Sequence, residues 1–498
     1  MRQIALLLGI LVATGCTLFN ATVRAPRQIG VDCATAAVVG LRWDSPPDSA
    51  RAAGYQVRRD GRLIATTPES NFSDGSVSGS STYTYVVSAF DAAGREFASD
   101  PLPVSTPAAS LQGDAPYCPS VLIRRMTWDW AHAERTAEGS DLWPVTWGQD
   151  GNVYTFFGDG GGFGGDDNRG RTSFGISMMS APPPLSPDAG VNLYGGYQGR
   201  HASDLSGKAR ALVALGADFY AIAGIYRQGD PKFSSPQPIA GAPEHIEMAY
   251  SRGNAHSWQV STWSFCAAGG FCPAGFVQFG PGNAGSPGHY LYLLGTSAAA
   301  DLRAAAEQRA AAEGPAARTY LARVAKRDIL VPAAYQYFGG LDSHSRPVWS
   351  VDAARMQPIF SDRNGRQAGC GGQCMMSGTL EEAVYNSALK RFIGVAQGNY
   401  LAQTSFYESA HPWGPWATVS YNNIDAASGA GGWGNLGTGA GESLGVHPVN
   451  AWTGADGRSM WVTYSSDGVA PVGAAFPAAG AKLDALHLVR VDLQLAAP

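Results

Sequence analysis

Two aspartates, Asp141 and Asp159, stand at the open ends of a stretch that reads as one β-hairpin. Apolar Trp143, Val145 and Trp147 alternate along the first arm, Gln149-Asp150-Gly151 supplies the turn, and Val153 to Phe157 makes the return. An antiparallel return places both carboxyl groups at the same end. Beyond Asp159 the chain enters a glycine-rich loop that reaches Asp166 and Asp167, where a ligand can approach the backbone closely. Paired carboxyl groups do general acid–base work: one, kept protonated, assists a leaving oxygen, and the other, ionised, activates water or attacks carbon. At a glycosidic bond such a pair stands about 6.5–9.5 Å apart for inversion and about 5–5.5 Å apart for retention.

Other residues fit the same chemistry. Glu247 lies between Ile246 and Met248, where partial burial would raise its pKa and suit it to the general acid; Glu382 is the alternative. Trp143 and Trp147 offer flat rings for the C–H face of a sugar, although alternation places at least one of them in the core. Trp413 and Trp416 suit packing at a strand connection. Asp166-Asp167-Asn168 offers oxygen ligands for Ca2+ but lacks EF-hand spacing, so a solvated loop, with Asp166 near substrate, is expected and no cofactor is required. Glu442 and His447, with Arg200 and His201, complete the candidate substrate contacts. The plainer role for each acid is a turn cap or a solvated strand end. The sequence holds no Gly-x-Ser-x-Gly elbow and no phosphate loop, which removes the serine-hydrolase and nucleotide readings.

Such residues need strands to hold them. Charged residues are 15% of the chain against a usual share of about a quarter, while 63 glycines and 10% aromatics favour turns and short strands over long solvated helices. A length of 498 residues calls for two domains or a repeat architecture. From about residue 119 one type of strand recurs, beginning at Asn152, Asp218, His289, Lys390 and Arg458, and a second type follows at Thr172, His245, Thr319, Thr404 and Leu486. The first type recurs at intervals of 66, 71, 101 and 68 residues; the long interval holds an Ala-rich insertion, Ser297 to Arg318, expected to be helical, and Cys370 with Cys374. Repeats of this length predict an all-β fold, a five-bladed β-propeller over residues 109–498. In that topology Asp141, Glu381, Glu382 and Glu442 precede innermost strands, while Asp159, Asp166, Asp167, Glu244 and Glu247 follow second strands. All of these would gather at one mouth of the central tunnel, and turns such as Gln149-Asp150-Gly151 at the other.

The first residues read as an export signal. Met1-Arg2, the apolar run Ile4 to Val12 and Ala13-Thr14-Gly15-Cys16 fit a secretory peptide over residues 1–15 rather than a membrane span. Leu11-Val12-Ala13-Thr14-Gly15-Cys16 resembles a bacterial lipoprotein cleavage box, which implies lipidation of Cys16, a tether over 16–27 and a place in the cell envelope. Thr17 is compatible with the outer membrane. Loss of Arg2 leaves 34 basic and 40 acidic side chains, a net charge of −6, which gives no reason to expect a nucleic-acid partner. A monomer is expected. The six cysteines after Cys16 suggest disulfides: Cys266 with Cys272 and Cys370 with Cys374 would close small loops, leaving Cys33 for Cys118. Within residues 28–108, Leu41-Arg42-Trp43-Asp44, the run Gly54 to Gly61 and the run Tyr83 to Gly94 resemble a fibronectin type III module, which implies a β-sandwich spacer with Trp43 in its core.

Gly139 to Trp147, Phe156 to Gly160, Tyr320 to Leu330 and His411 to Trp416 together resemble the secreted bacterial domain of unknown function family 4185, across essentially all of residues 119–498. The resemblance implies a five-bladed propeller related to furanosidase enzymes, some members being endo-D-arabinanases. By that likeness Asp141 would be the general base, with Asp159 tuning its pKa or orienting substrate. The expected activity is hydrolysis of a polysaccharide, an arabinan or another furanoside. A non-catalytic glycan-binding surface protein or adhesin is the main alternative, and a polysaccharide lyase the third.

Overall fold

The computed structural model describes residues 23–497 apart from 45–51, 109–114, 186–189, 226–245, 267–269, 298–316, 343, 363–378, 398–403, 422–442 and 467–483. The lipidation box at Cys16, Cys370, Cys374, Glu244, Glu442 and the interior of the Ala-rich insertion lie outside the described residues. The described secondary structure is strand, with short 3-10 turns. No helix among these residues is long and apolar enough to cross a membrane.

The chain divides into two compact units, the smaller comprising residues 1–30, 42–72 and 83–103 and the larger residues 31–41, 73–82 and 104–498. The smaller unit centres on an antiparallel sheet in which Ala52–Arg59 pairs with Arg62–Thr67 and with Thr82–Asp91. Trp43 is buried, as expected, with its ring edge-on to Tyr55 at 5.3 Å.

Among the described residues the larger unit contains five antiparallel meanders, the third and fourth joined by a parallel pairing into one ten-stranded sheet. The first runs Asp141–Trp147, Val153–Gly158, Gly175–Met179, Gly190–Tyr194, and the second Gly207–Leu215, Asp218–Ile225, Ile246–Ser251, Gln259–Phe265. The third opens Phe271–Gln278, Tyr290–Ser297, Ala317–Ala325 and continues into shorter outer strands; the fourth runs Thr379–Asn386, Arg391–Gln397, Thr404–Ser409, Ala417–Ser420. In the fifth, Ser443–Val449, Ser459–Ser466 and Ala485–Leu495 are joined by strands from the start of the unit, Ile123–Trp128 and Glu134–Thr136, which both pair with Ala485–Leu495. Every repeated segment noted in the sequence is therefore a second or third strand of one meander.

The second strands are apolar on both faces because each sheet is covered on both sides. One buried cluster joins Phe156 and Ile176 to Leu212 and Ala221, the next Val213 and Ile222 to Leu291 and Leu293, and a third Leu294 and Leu321 to Phe392 and Tyr407. A fourth joins Ile393 and Val395 to Val462 and Val489, and a fifth returns from Val449 and Leu488 to Trp143 and Val153. Each cluster thus joins two neighbouring meanders, each full side-chain burial contributing about 1.5–3 kcal/mol. Their first strands follow the same order: Asp141–Trp147 packs against Gly207–Leu215 and against Ser443–Val449, and Phe271–Gln278 lies between Gly207–Leu215 and Thr379–Asn386.

One feature recurs in all five. The ladder between first and second strand slips between Leu142 and Val145, Ala209 and Ala211, Pro273 and Gly275, Leu380 and Glu382, and Leu444 and His447. Each slip is a β-bulge, which bends the strand and re-aims the unpaired side chain.

Candidate functional site

Asp141 opens the first strand of the first sheet and pairs with Gly158, so Asp159 leaves the second strand beside it. The expected juxtaposition of the two acids is present, and a cation joins them. Lys208 Nζ lies 2.9 and 3.2 Å from the two Asp141 carboxyl oxygens and 2.6 Å from Asp159 Oδ2. One ammonium shared at those distances bounds the separation of the nearest carboxyl oxygens by the sum of the two contacts. That upper bound matches the about 5–5.5 Å spacing of a retaining pair and lies below the about 6.5–9.5 Å of an inverting one. Arg171 stands 4.0 Å from Asp159 on its outer side.

Environment separates the two. Asp141 is 9% exposed, and burial pushes its carboxyl above the usual range, opposed by Lys208 and reinforced by the Asp159 charge. Asp159 has a side chain 46% exposed. Lys208 is partly buried, which disfavours its charge, but Asp141 and Asp159 more than offset this and hold its pKa up. Local backbone is set for the arrangement: Leu142, Trp143 and Asp159 take φ of 81°, 57° and 55°. Bulky residues in that region cost on the order of 1–3 kcal/mol each, strain characteristic of functional sites. Gly158 is required by close approach, since a Cβ there would sit 2.9 Å from Lys208 Nζ and 3.1 Å from Asp141 Oδ1.

Glu382, an expected general acid, is engaged elsewhere. Its Oε1 accepts from Gln278 Nε2 at 2.6 Å, and its Oε2 lies 2.7 Å from His447 Nδ1. Gln278 Nε2 also donates to the Val145 carbonyl at 2.8 Å, so first strands of four sheets meet in one buried network. Thr463 Oγ1 donates to the carbonyls of Trp143 and His447 at 3.2 and 3.4 Å, adding a second tie. His447 is thus a network member with 6% exposure, correcting its expected role as a substrate contact. Beside Glu382, Glu381 is buried and pushed up to about 8 by burial, with Arg210 opposing and Glu382 reinforcing the shift.

Glu247 is buried on the third strand of the second sheet, where Ser264 Oγ donates to it at 3.3 Å. It faces Ala223, itself opposite Ala209, so it stands two strands out from the first strand, about 10 Å across the sheet. Trp143 is fully buried, its ring on Phe157 at 5.6 Å and its Nε1 donating to the Ser140 carbonyl, which makes it core rather than a sugar platform. Trp147 ends the strand that Asp141 begins, about 20 Å away at the opposite end, so it too is removed from the carboxyl pair. Asp166 Oδ1 accepts from the backbone N–H groups of Asn168 and Arg169 at 2.8 and 2.7 Å, and these bonds, Arg169 first, hold its pKa down. It caps its own turn. Among the described residues no group of three or more His, Cys, Asp or Glu is placed to hold a metal. His201 stacks on His256 at 4.5 Å, and Trp413 stacks on Phe338. The disulfides Cys33–Cys118 and Cys266–Cys272 are formed.

Lys208, Arg210 and Gln278 were not anticipated. The available signal for Lys208 was positional: it stands just before the apolar run Ala211 to Leu215, where the repeat places Asp141 before Trp143 to Trp147.

No family model matches the chain. An alpha-amylase of Niallia circulans is 38% identical over 70 residues, 14% of this chain and 5% of that protein. Exoglucanase B of Cellulomonas fimi is 33% identical over 127 residues, 24% of this chain and 12% of that protein. The chain therefore spans only a small fraction of either relative. Among solved structures, a fibronectin type III domain of human fibronectin type III domain containing protein 3 is 15% identical, covering 18% of this chain and 92% of its own, with a TM-score of 0.17.

Proposed function

We propose that the larger unit is a five-bladed β-propeller that hydrolyses glycosidic bonds in a polysaccharide, with Asp141 and Asp159 as its carboxyl pair. The observation that carries the reading is the shared contact of both acids with Lys208, one acid buried and the other half-exposed. Buried Asp141, its pKa raised, suits the proton donor, and half-exposed Asp159 suits the partner that meets the sugar carbon. This reverses the role that the family likeness implied for Asp141. The cyclic packing of five meanders supports the propeller, since it accounts for five clusters that each join neighbouring sheets. The names of the two local relatives, an alpha-amylase and an exoglucanase, agree with a glycan substrate. The likeness to domain of unknown function family 4185 points to an arabinan or another furanoside.

In the proposed reaction Asp141 protonates the leaving oxygen as the glycosidic C–O bond breaks and Asp159 attacks the anomeric carbon from the opposite side; a water that gives its proton back to Asp141 then attacks the same carbon, freeing the sugar and Asp159. Lys208 positions both through its ammonium. Residues 28–108 would be a fibronectin type III spacer, and Cys16 the lipid anchor in the cell envelope; the N-terminal sequence supports that placement.

A second reading, glycan binding without turnover, is favoured by one observation: the Lys208 ammonium satisfies both carboxyl groups, as it would in a purely structural ion cluster. A glycan panel separates the two. The hydrolase reading expects new reducing ends from the wild type and a loss of at least about a thousandfold in Asp141→Asn and Asp159→Asn. Saturable binding with no new reducing ends would establish the lectin, and an unsaturated, ultraviolet-absorbing product the lyase.

A further inference from the structure

We propose that Arg171 is a substrate contact beside the carboxyl pair, its guanidinium donating to the hydroxyl on the sugar carbon next to the one that Asp159 attacks. This deepens the hydrolase reading and rests on it for the identity of the reaction. Asp159 divides its two oxygens: Oδ2 lies 2.6 Å from Lys208 Nζ, which leaves Oδ1 for the anomeric carbon. Arg171 Nη2 faces that same Oδ1 at 4.0 Å, too far for a hydrogen bond but near enough to reach a substrate oxygen seated beside it. The Arg171 and Asp159 side chains are 49% and 46% exposed, so both are open to a ligand from outside.

The guanidinium is held at its other end. Nη1 donates to Asp167 Oδ1 at 2.8 Å and to the Asp167 carbonyl at 3.3 Å, so Nη1 is spent on the loop and Nη2 is the end presented to Asp159. Asp167 is itself seated at the site, since a Cβ on Gly139, two residues before Asp141, would lie 2.4 Å from its backbone nitrogen. The glycine-rich loop that carries these residues is bound along its length. Ser140 Oγ accepts from the Gly162 N–H at 2.9 Å. Buried Asn192 donates to the carbonyls of Gly161, Phe163 and Tyr197 at 3.2, 3.0 and 2.7 Å and accepts from the Phe163 N–H at 3.0 Å. The Thr172 N–H donates to the Gly160 carbonyl at 3.0 Å, closing the loop one residue beyond Arg171. A donor fixed in this way loses little freedom when it binds, which favours a contact that discriminates.

The chemistry of the reaction selects the acceptor. The substrate oxygens that come near a carboxylate attacking the anomeric carbon are the leaving oxygen, the ring oxygen and the hydroxyl on the adjacent carbon. The leaving oxygen is served by Asp141. The ring oxygen takes on positive character in an oxocarbenium-like transition state, so a guanidinium there would oppose the reaction. The adjacent hydroxyl is left, and a hydrogen bond to it strengthens as the transition state forms. The site therefore fits a substrate that carries a free hydroxyl beside the reacting carbon.

The test uses the full chain and paired oligosaccharides of the panel glycan that the wild type cleaves, linear arabino-oligosaccharides first, with and without that hydroxyl on the reacting residue. In Arg171→Met, kcat/KM should fall about 30-fold for the hydroxylated substrate and less than about threefold for its deoxy partner, so the ratio of the two falls about tenfold or more. Asp167→Ala frees the guanidinium and should lower the same ratio at least about threefold. A melting midpoint close to that of the wild type shows that a variant folds. Equal losses on both substrates in Arg171→Met would make Arg171 a staple of the loop and overturn the proposal. Should Arg171→Met fail to fold, Asp167→Ala decides, and an unchanged ratio there overturns the proposal. The two readings fail separately: an unchanged ratio with turnover intact leaves the hydrolase standing, whereas no turnover of any glycan by the wild type overturns the hydrolase and this contact with it.

Discussion

At the scale of single residues the site turns on one ammonium between two carboxylates. Lys208 opposes the effect of burial on Asp141, so replacing it with an uncharged chain of similar length should let that carboxyl rise further. In Lys208→Met the alkaline limb of kcat/KM, which follows loss of the Asp141 proton, is expected to move to higher pH while kcat falls at least about tenfold. A pH–rate profile reads both, and an unmoved limb would remove Lys208 from the mechanism. Glu381 permits a check that needs no substrate. Its carboxyl, pushed up to about 8 from an ordinary value of 4.5, keeps its proton in the fold over a pH range where the unfolded chain has released it. Its contribution to stability is therefore lost progressively as pH rises from about 4.5 to about 8, a change on the order of a few kcal/mol. Glu381→Gln should flatten that slope in denaturant titrations at pH 5 and pH 8.5. Parallel slopes would show that Glu381 titrates normally.

At the scale of the strand, bulges and close approaches determine which residues meet. A Cβ on Gly275 would lie 1.4 Å from the Glu381 carbonyl oxygen, a backbone atom with no rotamer to escape into. The Gly275→Ala variant must push the third and fourth first strands apart, breaking the parallel pairing of Val277 with Ala383, and a loss above about 4 kcal/mol is expected. Thermal or denaturant melts check this, and a near-native midpoint would mean that the two strands are not in contact. Alternation in the sequence correctly marked Asp141–Trp147 and Val153–Gly158 as a hairpin. It could not reveal the slip between Leu142 and Val145, because a bulge is decided by the neighbouring sheets rather than by local period. The same limit explains Trp143 and Trp147. A strand pattern shows that they share a face of the hairpin but not which end a ligand approaches.

At the scale of the whole molecule, the last meander of the larger unit is completed by a strand that precedes the first meander in the chain. Ile123–Trp128 pairs with Ala485–Leu495 over partners such as Met126 with Leu493, and Ile123 and Met126 belong to the cluster that joins the fourth and fifth sheets. Deleting residues 123–128 should therefore expose the edge of Ala485–Leu495 and destabilise the unit as a whole, lowering its melting midpoint by more than about 10 °C. Calorimetry would detect this; an unchanged transition would show that the terminal pairing contributes nothing. By itself the sequence determined the strands, their fivefold recurrence, the Cys33–Cys118 and Cys266–Cys272 pairs and the adjacency of Asp141 to Asp159. These follow from local alternation, turn residues, spacing and the geometry of one hairpin. Only the tertiary structure decided that Lys208, 67 residues from Asp141, would sit between the two acids and that Glu382 would be consumed by Gln278 and His447. Those contacts join strands of different sheets, and their register depends on how neighbouring sheets pack, which no residue pattern within one strand encodes.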